Sequence, residues 1–259
     1  ERPLPRRAVL ITFDDGYRDF AEHAWPILRR LGLPAVLFVP TAFPDQPGPG
    51  FWWDRLHAAL SHSKTRQIEP DGLGPFDLRE AAGRRAAHRA IRAHLKSLRH
   101  DEAMEWLATW IEPLAEVPSL HRVLGWDALR GLAREGLAVC SHGHEHALCT
   151  RLSPDGLARD LTTARARIAR ELGSDAGPPV FAYPASASDE ASRRAVEAAG
   201  YALGLGGGRE IARLPLDDPR DIGRLPVLQY PTALFRAQLR PIVSDVGSRL
   251  VDGGAPRRK

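Results

Sequence analysis

The residues best suited to chemistry fall into two groups that lie far apart in the sequence. Asp14 and Asp15 are adjacent carboxylates, and His142, His144 and His146 lie within five residues of one another. On a helical turn, the spacing of four between His142 and His146 would place both rings on one side. A carboxylate from elsewhere in the chain would complete a His-His-Asp set with open positions for water and substrate. Such a set is typical of a catalytic rather than a structural metal site.

This ligand set predicts hydrolysis. A divalent ion lowers the pKa of a bound water from about 15.7 to about 7. Two adjacent carboxylates can then divide the work, since one binds the ion while the other accepts a proton. His144 would point away from its neighbours at this spacing, and we expect it outside the ligand set. The alternative is that these histidines are ordinary polar or surface residues.

Alternating strands and helices place the two groups at one edge of a sheet. Apolar, β-branched runs predict strands over residues 8–13, 35–39 and 137–140; the first ends at the carboxylates and the third at the histidines. The carboxyl ends of parallel strands open onto the same face, where active sites are built. Residues about 127 positions apart can therefore meet there.

The rest of the chain continues the alternation of strands and helices. Helices are predicted over residues 19–31, 126–134, 153–172 and 190–199, and strands over 179–184, 203–205 and 225–228. We predict a mostly helical insertion over residues 45 to 120, approximately. Its helical part begins with the aromatic run 51–53. We therefore expect one α/β domain over residues 1–259, built on a parallel sheet or barrel.

Composition narrows the class of protein. The chain is 43% hydrophobic and 26% charged, which predicts a folded protein rather than a disordered one. Its net charge of +4 comes mainly from scattered arginines. A basic surface of this kind favours anionic glycans or a membrane face as partners. The alternative is that the arginines lie on solvated helix faces and bind no partner. No Lys/Arg cluster alternates with aromatic residues, so nucleic acid is not an expected partner.

Two further features bear on location and redox chemistry. Cys140 and Cys149 lack the CxxC spacing of a thiolate metal site, and we expect both to be small buried residues. We recognise neither a signal peptide nor an apolar run near 18 residues, which favours a cytoplasmic protein without a membrane span.

Three motifs resemble those of one enzyme family. Residues 12–16 (Thr-Phe-Asp-Asp-Gly) resemble the first motif of the NodB-homology polysaccharide deacetylases, carbohydrate esterase family 4, and residues 141–146 (Ser-His-Gly-His-Glu-His) are similar to the second. Residues 181–184 (Phe-Ala-Tyr-Pro) resemble the third-motif strand. The resemblance implies a distorted (β/α) barrel, here with a helical insertion. It also implies hydrolytic removal of an N-acetyl or similar small acyl group from an amino sugar in a polysaccharide or glycoside.

The resemblance also implies roles for individual residues. Asp15, His142 and His146 would bind the metal, expected to be zinc, although cobalt or nickel suit the same ligands. Asp14 would be the general base, and the backbone N–H of Ala185 would stabilise the oxyanion. The expected partner is an N-acetylated glycan or sugar; the oligomeric state is not predicted.

Four further residues are expected to contact the substrate. They come from the third motif and from the insertion: Tyr183, Pro184, Trp53 and Asp54. For the tryptophans at positions 52 and 53 two interpretations stay open. They could stack against a sugar ring, or they could anchor the insertion to the barrel.

The chain departs from the family at two positions. Alignment on Pro184 puts Ala182 where the family has an arginine that braces the base, so the brace must come from elsewhere or be absent. The family also has a late histidine as general acid, and no histidine follows His146. The acid could be His144, Glu145 or Asp189, or the proton could return through Asp14. Alternatively, the chain is a catalytically impaired carbohydrate-binding pseudoenzyme.

Overall fold

The computed structural model describes residues 8–45, 50–115, 122–206, 212, 215–227 and 231–239. It contains eight strands in this part of the chain: β1 (Ile11–Phe13), β2 (Ala35–Val39), β3 (Gln67–Ile68), β4 (Phe76–Asp77), β5 (Ala138–Ser141), β6 (Val180–Ala182), β7 (Leu203–Gly206) and β8 (Ile222–Gly223). Six of them form one parallel sheet in the order β1-β2-β5-β6-β7-β8, whereas β3 and β4 form a separate antiparallel pair.

Helices surround this sheet and fill the connections. The α-helices are α1 (Trp25–Arg30), α2 (Trp52–His62), α3 (Ala81–Ser97), α4 (His100–Trp110), α5 (Trp126–Arg134), α6 (Pro154–Leu172), α7 (Glu190–Ala198) and α8 (Thr232–Leu239). A π-helical segment, Phe20–Ala24, leads into α1. Short 3₁₀ turns cover Glu112–Leu114, Cys149–Arg151, Gly173–Asp175 and Pro184–Ser186.

The sheet curls into a half-barrel whose edge strands are β1 and β8. These strands are the two ends of the hydrogen-bonded order. Nevertheless Arg224, one residue beyond β8, makes two hydrogen bonds to Asp14, one residue beyond β1. The carboxyl ends of the two edge strands therefore lie close together, in the distorted (β/α) barrel expected from the motifs.

The barrel and the connection between β2 and β5 have separate apolar cores. In the barrel, Trp25 of α1 and Trp126 of α5 pack on buried residues of the sheet such as Leu37 and Val139. Between β2 and β5, helices α2, α3 and α4 bury a cluster of their own: Leu56, Leu60, Ile91, Leu95, Ala103 and Leu107 belong to it. This connection is therefore a packed structure rather than an extended loop.

Several elements differ from the sequence prediction. β1 begins at Ile11 rather than at residue 8, and the hairpin of β3 and β4 was not predicted. The last strand is Ile222–Gly223 and not residues 225–228, of which 225–227 are described and are not strand. Pro226 has no N–H to give to a strand ladder, which disfavours a strand over residues 225–228.

None of the helices in the described ranges is both long enough and apolar enough to cross a membrane.

The packing of α3 on β4 leads to a prediction about two glycines. A Cβ at Gly83, in the first turn of α3, would lie 1.7 Å from the backbone oxygen of Asp77, whereas a Cβ at Gly131 in α5 would meet nothing within 4 Å. We expect Gly83→Ala to lower the free energy of unfolding by about 1–3 kcal/mol, because the helix and β4 must separate. Gly131→Ala, the matched control, should leave it unchanged or raise it by up to about 1 kcal/mol. Urea unfolding of both variants is the measurement; equal effects would contradict this account of the packing.

Candidate active site

The structure brings Asp15, His142 and His146 together. One ligand atom from each lies within 4.8 Å of the other two. Oδ1 of Asp15 is 3.2 Å from Nε2 of His146 and 3.6 Å from Nε2 of His142. This oxygen is buried and accepts no hydrogen bond. A buried carboxylate oxygen without a partner is costly, and a cation among these three atoms would satisfy it. The residues therefore fit a divalent ion with a His-His-Asp ligand set.

His142 is held in the tautomer that a metal requires. Its Nδ1 donates a hydrogen bond to the backbone oxygen of Ala182, at 2.7 Å. Since a carbonyl oxygen only accepts, Nδ1 carries the proton and Nε2 presents its lone pair to the cluster. Burial lowers the pKa of His142 even though Asp14 and Asp15 act in the opposite direction. The lowered pKa favours the neutral ring, which is the form that binds a metal.

The histidines lie in a loop after β5 and not on a helical turn, which corrects the expectation from their spacing. Residues 142–146 contain no helix. Gly143 and His146 both have left-handed backbones, with φ of 81° and 55°. These two positions bend the chain so that the rings of His142 and His146 meet edge to face, with centroids 4.7 Å apart.

Two sides of the barrel hold this loop. The backbone N–H groups of Thr41 and Ala42, after β2, donate to the oxygens of Gly143 and His144 at 3.0 and 2.9 Å. From α6, the carboxylate of Asp160 accepts hydrogen bonds from the N–H groups of His144 and Glu145 at 3.0 and 3.1 Å. A Cβ at position 143 would lie 2.8 Å from Oδ2 of Asp160, so only glycine allows this approach. Neither Asp160 nor Thr41 was identified from the sequence.

Backbone strain is concentrated at the candidate ligands. Asp15 has φ of 73° and His146 has φ of 55°, and both are outside the region that non-glycine residues prefer. Strain of this kind costs about 1–3 kcal/mol per residue and persists where the surroundings enforce it, which is frequent at functional sites. Two of the three candidate ligands are thus positioned by constrained backbone.

Arg224 braces Asp14. It supplies the guanidinium that position 182 does not, because this chain has Ala182 there. Its two terminal nitrogens donate to the two oxygens of Asp14 at 2.7 and 2.8 Å. The same guanidinium donates to Oγ1 of Thr12 at 3.3 Å and lies over the ring of Phe38. A bidentate pair of this type fixes the orientation of the carboxylate as well as its charge. The sequence prediction missed this residue, for which the only signal was an arginine close to a late strand.

Opposing effects set the charge of Asp14. Burial raises the pKa of Asp14, but the neighbouring His142 and the hydrogen-bonded Arg224 lower it by more, so the pKa lies below its usual value. Oδ2 of Asp14 is 3.8 Å from Nε2 of His142. An ionised carboxylate, able to accept a proton, therefore stands beside the candidate metal ligands.

The start of α2 reaches the site and supplies an aromatic wall. Trp53 stacks on Phe51 and meets the ring of His146 at a centroid distance of 4.6 Å. Its Nε1 donates to the hydroxyl of Tyr17, which in turn donates to Oδ2 of Asp54, both at 2.8 Å. Trp53 thus anchors the segment and borders the site, while the carboxylate of Asp54 is engaged with Tyr17.

The third motif contributes backbone rather than side chains. Tyr183 was expected to contact the substrate, but its side chain is fully buried and its hydroxyl donates to the backbone oxygen of Arg220 at 2.9 Å. Pro184 is buried as well. Both expectations are therefore wrong for the side chains. Ala185 is exposed and has a left-handed backbone, with φ of 53° and ψ of 22°.

None of the three candidate general acids joins the cluster. Nδ1 of His144 is 2.9 Å from the hydroxyl of Thr41, and Glu145 pairs with His100 of α4 at 3.5 Å. Asp189 caps α7, and its hydrogen bonds to Ser192 lower its pKa. Each group is engaged outside the cluster, so these contacts favour none of them as the acid.

The cysteines are buried, free thiols, as expected. Burial raises the pKa of Cys140 to about 12 and also raises that of Cys149. Neither belongs to a group of potential metal ligands in the described part of the chain.

Comparison with known proteins identifies the family. The model of the family described as polysaccharide deacetylase matches residues 1–204. A segment of 46 residues is 44% identical to the poly-beta-1,6-N-acetyl-D-glucosamine N-deacetylase of Escherichia coli K12. This segment is 18% of the chain and spans only 7% of that enzyme.

Solved structures share the fold at low sequence identity. The Streptococcus pyogenes deacetylase PplD, solved in complex with acetate, aligns with a TM-score of 0.52 and 15% identity, over 87% of this chain and 67% of its own. The BpsB deacetylase domain of Bordetella bronchiseptica aligns with a TM-score of 0.50 and 19% identity, over 86% of this chain and 72% of its own. These likenesses concern the fold, and the family match covers most of the chain. The chain belongs to the polysaccharide deacetylase family.

Proposed function

We propose that the chain is a metal-dependent hydrolase that removes an N-acetyl or similar small acyl group from an amino sugar in a polysaccharide or glycoside. The observation that carries this proposal is the meeting of Asp15, His142 and His146 beside the braced carboxylate of Asp14. The short match to an N-deacetylase of a poly-N-acetylglucosamine supports an N-acetyl group as the one removed.

Asp15, His142 and His146 would hold the ion, for which zinc suits two imidazoles and one carboxylate. The ion would supply Lewis acidity, which lowers the pKa of the attacking water and polarises the acyl carbonyl. His142 enters the site with its proton fixed on Nδ1, so it offers a lone pair without rearrangement.

Asp14 would act as the general base. Its carboxylate is ionised, and Arg224 holds both oxygens in place. The backbone N–H of Ala185, at an exposed and left-handed position, would donate to the oxyanion that forms on the acyl carbon. Trp53 would present its ring to the sugar beside His146.

Asp14 would also return the proton to the leaving amine. A group whose pKa is held low is a weaker base but, once protonated, a stronger acid. The guanidinium of Arg224 helps to lower the pKa of Asp14 and thereby favours this second step. One carboxylate can therefore serve both steps, in a site where His144, Glu145 and Asp189 are engaged elsewhere.

The competing function is carbohydrate binding without catalysis. It is motivated by the absence of any histidine after His146 in the sequence. Acetate release from an N-acetylated oligosaccharide such as chitopentaose separates the two proposals, because a protein that only binds releases none.

Metal content tests the ligand set. We expect about one divalent ion per chain in protein purified without added metal, and none in the double variant His142→Ala/His146→Ala, which removes two of three ligands. His57→Ala/His88→Ala is the matched control, since these rings also lie together, 6.4 Å apart, but in the connection between β2 and β5. Elemental analysis by mass spectrometry is the measurement. Loss of the ion from the control, or its retention in the first variant, would refute the assignment.

Arg224→Gln tests the brace. The variant should bind metal normally but lose about 10–100-fold in kcat, as is typical when an outer partner of a site is removed. Without the guanidinium the pKa of Asp14 rises, and the base must be deprotonated to act. The acidic limb of the rate–pH profile should therefore move to higher pH.

Two further variants make this test specific. Arg224→Lys keeps the charge but loses the bidentate geometry, and it should fall between Arg224→Gln and the wild type. Arg194→Gln removes an exposed arginine of α7 that pairs with Glu190, and it should have no effect. An Arg224→Gln enzyme with an unchanged acidic limb would show that Arg224 does not act through the base.

A further inference from the structure

One face of α3 carries a row of cations. Arg85, Arg89, Arg92 and Lys96 follow one another at steps of four, three and four residues. At about 100° per residue they fall within about 60° of arc and extend over about 16 Å of the helix. We call these four residues the cationic stripe. The helix contains no acidic residue.

The cationic stripe has no acidic partner among the residues that the structure describes. Other arginines of the same region do have one, such as Arg79 with Asp77 and Arg99 with Glu102. Arg85, Arg89 and Arg92 are exposed. Burial and then the nearby Arg92 lower the pKa of Lys96, so the cations of the stripe act on one another without a compensating charge. An arriving anion would relieve this repulsion.

The stripe leads to the candidate metal site. Lys96, at its end, lines a pocket between α3, α4 and the loop after β5, and His146 lines the same pocket. Arg151 adds a second cation and Trp52 an aromatic ring. The pocket has no carboxylate among its lining residues. A ligand that occupies the pocket would therefore meet two cations and a candidate metal ligand.

We propose that the substrate is an anionic glycan, whose carboxylate or phosphate groups are bound by the cationic stripe and by Lys96 and Arg151 in the pocket. The inference rests on the proposed function and names the substrate class of that site. Arginine suits this role because its planar donors match carboxylate and phosphate oxygens. A flat anionic membrane would contact the exposed stripe, but it would not fill the pocket beside His146. The continuity of stripe and pocket therefore favours a chain-like ligand.

Binding to defined oligosaccharides tests the inference. The probes are an oligogalacturonate for carboxylates, an oligomeric glycerol phosphate for phosphodiesters, and neutral chitopentaose. The variants are Arg89→Gln/Arg92→Gln on the stripe and Lys96→Gln/Arg151→Gln at the pocket. The control, Arg30→Gln/Arg134→Gln, removes the same charge from two exposed arginines that end α1 and α5. These helix ends lie at the opposite side of the sheet from the carboxyl ends of the strands.

Titration calorimetry at two salt concentrations gives the result. At least one oligoanion should bind to the wild type, and each test variant should bind it about tenfold more weakly, since each loses charged hydrogen bonds. The dependence of affinity on salt should also become weaker in these variants, because fewer ion pairs form. The control variant should bind as the wild type does, and chitopentaose should bind equally to all four proteins.

The possible failures are distinguishable. Equal oligoanion affinities in all four proteins would overturn the inference. So would a wild-type protein that binds no oligoanion at low salt, whether or not it binds anionic lipid vesicles. Metal content and acetate release from a hyaluronan oligosaccharide, which carries both carboxylates and N-acetyl groups, test the proposed function separately. If weaker oligoanion binding by the test variants accompanied a complete lack of acetate release, the proposed function would fail while the anion site remained.

Discussion

The ion pair between Asp14 and Arg224 joins the two edges of the curled sheet at the position of the proposed base. The two residues are 210 positions apart in sequence, and they follow the two edge strands of the sheet. No strand pairing joins β1 to β8 among the described residues. The guanidinium, held between Thr12, Asp14 and the ring of Phe38, instead links the two edges by side-chain contacts. A half-buried pair of this kind is tolerated because both partners are present, whereas removing either leaves an uncompensated charge.

The same contact connects the fold to the chemistry. Arg224 orients the carboxylate that lies beside the three candidate metal ligands, and it keeps that carboxylate ionised. One contact therefore both links the edges of the curled sheet and positions the proposed base. A family member that lacks the third-motif arginine can retain a braced base if another element of the barrel supplies the guanidinium.

Preorganisation of the ligands depends on a second set of constraints. Asp15 and His146 have left-handed backbones, which are unfavourable for residues with a Cβ. For His146, the hydrogen bonds of its loop to Thr41, Ala42 and Asp160 offset this strain from both sides. His142 is fixed separately, through its bond to the oxygen of Ala182. The three ligand atoms therefore converge, and the unpaired oxygen of Asp15 lies among them.

Local sequence patterns predicted much of this arrangement. The strand ends at Asp14 and at the histidines follow from short apolar runs, and the parallel order of strands brings them to one edge. The contacts that depend on tertiary structure were not predictable in this way. Arg224 was missed because nothing near it in sequence indicates its partner, and the histidine loop was taken for a helical turn because spacing alone ignores the bend at Gly143. Tyr183 was expected to contact the substrate, but it directly follows β6, whose residues are all buried, and its own side chain is buried as well.

The most direct test of the account is to compare Asp14→Asn with Asp15→Asn, since the account assigns different work to two adjacent and similar carboxylates. Metal content and the rate of acetate release from an N-acetylated oligosaccharide should be measured for both variants and the wild type. Asp14→Asn should keep about one ion per chain while losing about 10²-fold or more of the rate, as expected for loss of a general base. Asp15→Asn should lose the ion itself. If both variants kept the ion, or if Asp14→Asn released acetate at the wild-type rate, the division of roles between the two carboxylates would be wrong.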